Sequence, residues 1–206
     1  MSGAPAPPFQ FVGGSLALDF ANTVGNWGDP ATRRDYFRTP ADLLTWTRLA
    51  AIPGPAFSAA DVPGDALRRV VALRTALYRL FAAAAAGTVA AAEDVRVLEQ
   101  AVRRARQQQA LAADRHGLTW AWTPSASRFD QLLAAIVFDA VRVLTTAHER
   151  AQLRMCEGDR CGWVFLDRSR GRRRRWCSMA DCGNREKARR HYTRLQKARP
   201  ARPPRS

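Results

Sequence analysis

The stretch that decides the fold is Cys156-Glu-Gly-Asp-Arg-Cys161 with, fifteen residues further on, Cys177-Ser-Met-Ala-Asp-Cys182. These are all four cysteines of the chain. In a reducing cytoplasm disulfides are rare, so clustered cysteines read as a metal or redox site. Two close pairs separated by a short excursion are the pattern of a four-thiolate zinc site: each pair supplies two ligands from a local turn, and the spacer brings the pairs together. Four sulfurs fill tetrahedral zinc and leave no position for water. The expected cofactor is therefore one structural Zn2+ on Cys156, Cys161, Cys177 and Cys182. His148 and His191 are spare donors that four thiols make unnecessary.

Around the cysteines the local chemistry alternates. Trp163-Val-Phe-Leu166 is apolar and β-prone, Asp167 to Gly171 is turn-like, and Arg174-Arg175-Trp176 returns toward the second pair, so a hairpin is expected within the spacer. Asp167 and Ser169 are expected to fix the turn by local hydrogen bonds, and Trp163 and Trp176 to form a small core. Residues 183–197 are good helix formers with no proline before Pro200. The order is knuckle, hairpin, then a second pair leading into a helix, which is that of a treble-clef-type finger.

The charge is concentrated in the same place. The 206 residues hold 33 Lys and Arg against 18 acids, a net of +15. Residues 1–150 carry 16 Arg and 13 acids, a net of +3, whereas residues 151–206 carry 17 basic and 5 acidic residues, a net of +12. This excludes a uniformly basic chain. It also disfavours a purely small-molecule enzyme, because ordinary catalysis has no use for such a tail. Only Lys187 and Lys197 are lysines; with the abundant alanine this points to a coding bias toward Arg, but not to the excess of base over acid.

Arg168, Arg170, Arg172, Arg173, Arg174 and Arg175 surround the turn, and Arg185, Lys187, Arg189, Arg190, Arg194 and Lys197 line the helix. Arg185, Arg189 and Arg190 share a helix face. Such a surface suits phosphate contacts, and Asn184, Arg185, Arg189 and His191 also have the chemistry to read base edges. The expected nucleic-acid contacts are Arg170, Arg172, Arg173, Arg174, Arg175, Asn184, Arg185, Lys187, Arg189 and Arg190. DNA is the first expectation. RNA offers the same electrostatic footprint, and an acidic protein partner is a further alternative. An enzyme built on the N-terminal part would need a motif, and no nucleophile elbow, phosphate-binding glycine loop or catalytic metal motif is present. A single module buries little surface, so a homodimer is expected.

The rest of the chain has the composition of a folded protein, 47% apolar and 25% charged. No apolar run approaches membrane-spanning length and the first residues lack the basic and apolar regions of a secretory signal, so a cytoplasmic protein without a membrane partner is expected. Residues 1–8 read as a frayed end, 9–150 as one domain, 151–198 as the finger and 199–206 as a flexible basic tail. Leu16, Leu18 and Phe20 alternate as in a short strand, but the same stretch could open a helix from Ser15. Thr39-Pro40-Ala41-Asp42 starts a helix that ends near Ala50, and residues 51–63 form a loop. A long helix over 64–86 has Leu67, Val70, Leu73, Leu77 and Leu80 on its apolar face, Arg68, Arg69, Arg74 and Arg79 on the surface and Gly87 as C-cap. A helix over 91–110 has the stripe Val95, Leu98 and Val102. A hairpin spans 111–122 about Asp114 to Gly117, and a broad-faced helix runs over 127–148. Trp27, Trp46, Trp120 and Trp122 are expected in the core or in an aromatic pocket. Asp19, Asn22 and Thr23 either brace local backbone or line a ligand pocket. The fold class is α+β: a mostly helical N-terminal domain with a small hairpin, and a C-terminal treble-clef-like finger.

Residues 154–190 resemble the CGNR zinc finger through Cys182-Gly183-Asn184-Arg185, the stretch from Cys161 to Ser169, and Trp176-Cys-Ser-Met179. Residues from about 10 to 148 resemble its usual N-terminal partner, the ABATE domain, through Leu16-x-Leu18-Asp19-Phe20-x-Asn22-Thr23. The resemblance implies a stress-related transcription regulator whose finger binds DNA and whose N-terminal domain senses an effector or forms the dimer.

Overall fold

The computed structural model describes residues 9–52 and 57–198. The frayed end expected at 1–8 and the basic tail expected at 199–206 lie outside them. The open reading of the first motif resolves as helix: α1 spans Leu16–Ala21, with Ser15 Oγ accepting from Leu18 N at its start. Two short strands follow, β1 (Val24–Gly25) and β2 (Arg34–Asp35), paired antiparallel. Helix α2 (Pro40–Leu49) begins with a reciprocal capping box between Thr39 and Asp42 and with Pro40 in its first turn.

Helix α3 (Ala66–Ala86) ends at Gly87, whose φ of +68° is the left-handed conformation that a residue without a Cβ adopts freely. Its face of Val70, Leu73, Leu77 and Leu80 is buried. Burial of each such side chain contributes about 1.5–3 kcal/mol. Helix α4 (Ala92–Gln107) packs against it: Leu98 and Val102 touch the core, whereas Val95, read as part of the stripe, is exposed. Strands β3 (Gln109–Asp114) and β4 (Gly117–Trp122) form the expected hairpin, with Leu111 opposite Trp120 and Ala113 opposite Leu118. Helix α5 (Arg128–Thr145), capped by Ser127, runs through the centre of the core with Leu132, Ile136, Val137 and Ala140 buried. The short α6 (Ala147–Arg150) leads into the finger.

Two expectations for the N-terminal part are corrected. Arg74 is not on the surface: it is 2% exposed and bridges both carboxylate oxygens of Asp35 through two guanidinium nitrogens, at 2.7 and 2.5 Å. A bidentate pair of this kind lets a cation sit under β2 on an otherwise apolar helix face. Trp120 and Trp122 are exposed rather than core, at 57% and 37%, and Leu118 is exposed with them. Cross-strand pairing turns Leu111, Leu118 and Trp120 to one face of the hairpin, where Arg106 lies over the rings of both Trp120 and Phe138. Trp27 and Trp46 are buried as expected.

In the finger, β5 (Leu153–Met155) pairs antiparallel with β6 (Val164–Leu166), so Trp163 to Leu166 does not fold back on 174–176 as the spacer suggested. The first cysteine pair occupies the turn between β5 and β6, so this pairing closes the shorter loop. A five-residue π-helical turn, Met179–Gly183, carries Cys182 directly into α7 (Asn184–Ala198). The fold is thus α+β, a helical domain with small antiparallel hairpins followed by a treble-clef-like finger. The finger also completes the helical core, since Leu153, Val164 and Leu166 are buried with α1, α3 and α5. Among the described residues no helix is long and apolar enough to cross a membrane.

Candidate metal centre and nucleic-acid interface

The four cysteine sulfurs converge. All are buried, and their Sγ atoms lie within 4.8 Å of one another. Cys177 Sγ is 3.8 Å from Cys161 Sγ and 3.7 Å from Cys182 Sγ. Zinc–thiolate bonds of about 2.3 Å in a tetrahedron place sulfurs about 3.8 Å apart, so the donor set fits one Zn2+ in both number and spacing. Each pair comes from a tight turn: β5 and β6 flank the first, and the π-helical turn, started by Ser178 Oγ accepting from Asp181 N, carries Cys182 with Cys177 just ahead of its cap.

Four thiolates around one Zn2+ leave a net negative charge, and donors surround it. Gly158 N and Cys177 N donate to Cys156 Sγ at 3.4 and 3.3 Å, and Arg185 Nη2 donates to Cys182 Sγ at 3.0 Å. Arg185 Nε also lies 3.3 Å from Asp181 Oδ1. Such outer contacts orient the ligands and temper their charge. The Arg of the Cys-Gly-Asn-Arg stretch therefore faces the metal centre as well as solvent.

Asp167 and Arg174 organise the spacer. Asp167 Oδ1 accepts from Ser169 N at 3.0 Å and Ser169 Oγ at 2.6 Å, while Oδ2 accepts from Arg174 N at 2.9 Å. Arg174 lies over the Phe165 ring and donates to the carbonyls of Trp176, Cys177 and Val12. Its donors face protein carbonyls, so the structure places it inside the finger rather than in its basic surface. Arg175 pairs with Glu157 and covers Trp176. Arg170, Arg172 and Arg173 are exposed on the loop, with no ion-pair partner among the described residues.

On α7 the cations divide. Arg189 and Arg190 both bind Glu186, and Arg189 first, then Arg190, holds its carboxyl down at about 2. Asn184 Nδ2 donates to Ala180 O. Lys187 and Arg194 are exposed without such partners among the described residues. Glu186 is the buried side chain of α7, and residues 187–196 are all exposed.

The N-terminal trio is buried, and Asn22 reaches the finger. Asn22 Nδ2 donates to Val164 O at 2.9 Å and its Oδ1 accepts from Val164 N at 3.1 Å, so one side chain pairs with β6 as a neighbouring strand would. Asp19 Oδ1 accepts from Gly13 N at 2.7 Å, and Thr23 Oγ1 donates to Phe20 O at 2.7 Å. Burial raises Asp19 to about 7 despite that backbone donor, with Asp139 adding to the rise.

The sequence reading missed how the rest of the N-terminal segment grips the knuckle. Trp163 Nε1 donates to Val24 O at 2.7 Å, Gly28 N donates to Arg160 O at 3.1 Å, and Tyr78 OH donates to Gly162 O at 3.0 Å. Trp27 stacks on Tyr78 with ring centroids 4.0 Å apart. Gly162 has φ of +65°, and a Cβ there would lie 2.7 Å from Gly28 N, so the two backbones touch where no side chain fits. The adjacent Trp27 and Gly28 were the available signal, but nothing local links them to a cysteine pair 130 residues away.

These features define a class: a helical domain fused through a shared core to a four-thiolate finger that ends in a basic helix. Residues 14–147 match the ABATE family, described as "Putative stress-induced transcription regulator", and residues 152–195 match the CGNR zinc finger. The chain belongs to the ABATE family, and its four cysteines form the zinc site of the finger. No curated protein matches it.

Proposed function

We propose that this protein is a cytoplasmic DNA-binding transcription regulator that acts by binding rather than catalysis. The observation that carries the reading is α7. It is a helix whose sequence holds six basic residues and one acid, exposed on every side over residues 187–196 and anchored at one end to the zinc centre. A solvated helix gains little from its own hydrogen bonds and salt pairs, whereas its diameter of about 10–12 Å suits a major groove about 12 Å wide. Lys187, Arg190 and Arg194 recur at three and four residues, on one face. Arg170, Arg172 and Arg173 would meet phosphates beside it. The N-terminal domain senses an effector, and the working unit is a homodimer, because one helix and one loop bury too little surface for tight binding; sedimentation as a monomer at all working concentrations would remove that last element.

The test is selection of bound genomic fragments followed by titration at several salt concentrations. Lys187→Ala/Arg190→Ala/Arg194→Ala should weaken binding at least about tenfold and lower the salt slope by about 2 to 3, since each lost phosphate contact removes about 0.9. Unchanged affinity and slope in the triple variant would show that α7 is not the binding element. Tighter binding of RNA than of the selected DNA at matched salt would move the reading to an RNA-binding protein.

A further inference from the structure

The C-terminal end of α2 and the first turns of α5 do not close on one another. Between them, under the chain that leaves β4, is an open cleft of about 820 Å³. Thr47, Arg48, Trp122, Arg128, Gln131 and Leu132 line it, and no acidic side chain does among the described residues. The volume is in the range of small-ligand sites, which are concave, mainly apolar and equipped with a few polar groups. Leu132 is buried in the floor, and Trp122 stands exposed at the wall, at the base of the β3–β4 hairpin.

Two cations face this cleft, and among the described residues neither forms an ion pair. Among the described residues Arg48 gives only its Nε to the protein, to Leu44 O at 3.3 Å, which leaves its terminal nitrogens available. Arg128 is half-buried, and among the described residues it has neither an ion pair nor a hydrogen bond. Asp61, held ionised by Ser58 N and Oγ at 2.8 and 2.7 Å, attracts Arg128 from a distance and makes no hydrogen bond to it. The other arginine near this helix start, Arg69, is by contrast matched to Asp130 at 2.6 Å. Partial burial of Arg128 without a hydrogen-bond partner is unfavourable, so an anion arriving here would gain charge-assisted hydrogen bonds from it and from the exposed Arg48.

We propose that this cleft binds a small organic anion with a planar apolar body, its carboxylate or equivalent held between Arg48 and Arg128 and its ring against Trp122 and Leu132. A guanidinium pair supplies the fork geometry for a carboxylate, and Trp offers both a flat apolar face and room for stacking. Gln131 Nε2 donates to Ala126 O, which leaves its side-chain oxygen to accept from a polar ring substituent. This gives the proposed sensing role a location and a ligand class. The experiment contains no nucleic acid, so its failure and a failure of DNA binding are separate results.

Full-length protein is titrated with naphthalene-2-carboxylate, followed by calorimetry and by saturation-transfer NMR, and then with the uncharged naphthalene-2-carboxamide. The expected result is saturable one-to-one binding of the carboxylate, about tenfold weaker binding of the amide, and a similar loss in Arg48→Gln/Arg128→Gln. Ala135→Trp, which fills the cleft from the partly exposed face of α5, should abolish binding with an unchanged circular dichroism spectrum, while Trp120→Ala on the hairpin face should bind as the parent does. No saturable binding up to about 5 mM, a millimolar Kd being about the weakest affinity of interest, would overturn the proposal. So would equal binding of acid and amide, or retained binding in Ala135→Trp.

Discussion

The helical domain and the finger reach the same compactness by different physics. The first buries Leu18, Phe20, Trp46, Phe81, Phe129 and Ile136 in an apolar core whose stabilisation needs no partner from solution. The second places four cysteines at its centre, ringed by Trp27, Trp163, Phe165 and Trp176, so its core is conditional on a cation. The boundary between them is not a linker, because Val24 and Trp27 belong to the cysteine cluster and Leu153, Val164 and Leu166 belong to the helical one. The contrast teaches that a metal site can be a structural member of a larger core without being large itself.

Removal of zinc is the strongest way to break this comparison. Structural zinc sites hold about 10–16 kcal/mol of apparent binding energy, which is folding energy for the segment that carries them. A strong chelator, or Cys177→Ser, should unfold the finger and also lower the melting temperature of the helical domain by circular dichroism. If the helices melt at the same temperature with and without zinc, the shared core contributes nothing and the two regions are independent.

A smaller effect comes from the seam. Asn22→Ala leaves the buried N–H and C=O of Val164 without partners, each costing about 1–3 kcal/mol. Denaturant unfolding should show a loss of a few kcal/mol, with faster transfer of zinc to a competing chelator. Destabilisation without faster zinc loss would confine Asn22 to the helical side.

A third effect, comparable with that at the seam, is on pH. Asp19 is raised by burial to about 7, against an ordinary 3.8. The folded state holds its proton more tightly than the unfolded chain, so the associated stability is fully present below about 4 and is lost as pH rises through about 7. Asp19→Asn keeps an acceptor for Gly13 N and removes the titration. Thermal melts should show the parent losing stability relative to this variant between pH 4 and 7, and parallel pH profiles for the two proteins would contradict the burial argument.

What the sequence revealed follows the range of each interaction. Thr39, Pro40 and Asp42 act within one turn of helix, as does Gly87 at the other end of a helix, so their roles were legible. The cysteine quartet was legible because each pair is local and zinc chemistry dictates the rest. Arg74 was misread because periodicity places it on α3 but does not show that Asp35 arrives to cover it. Arg174 reads as one more member of a basic run, although its guanidinium is caught by the carbonyls of Trp176 and Cys177 and, from the far end of the chain, of Val12. Trp120 was assigned to the core by residue type, yet its face of the hairpin has little packed upon it. Asn22 shows the limit most plainly, since its partner lies 142 residues away and only the fold brings Val164 to it.

The contact of Gly28 with Gly162 has a practical meaning for anyone who treats the finger as an exchangeable part. Two bare backbones lie against each other there, and neither chain can take on a side chain while the other stays in place. A finger excised at residue 151 would leave behind half of its own joint. Chimaeras that swap fingers between relatives therefore need to carry the segment from Asn22 to Gly28 along with the cysteines, as one inherits a lock together with its key.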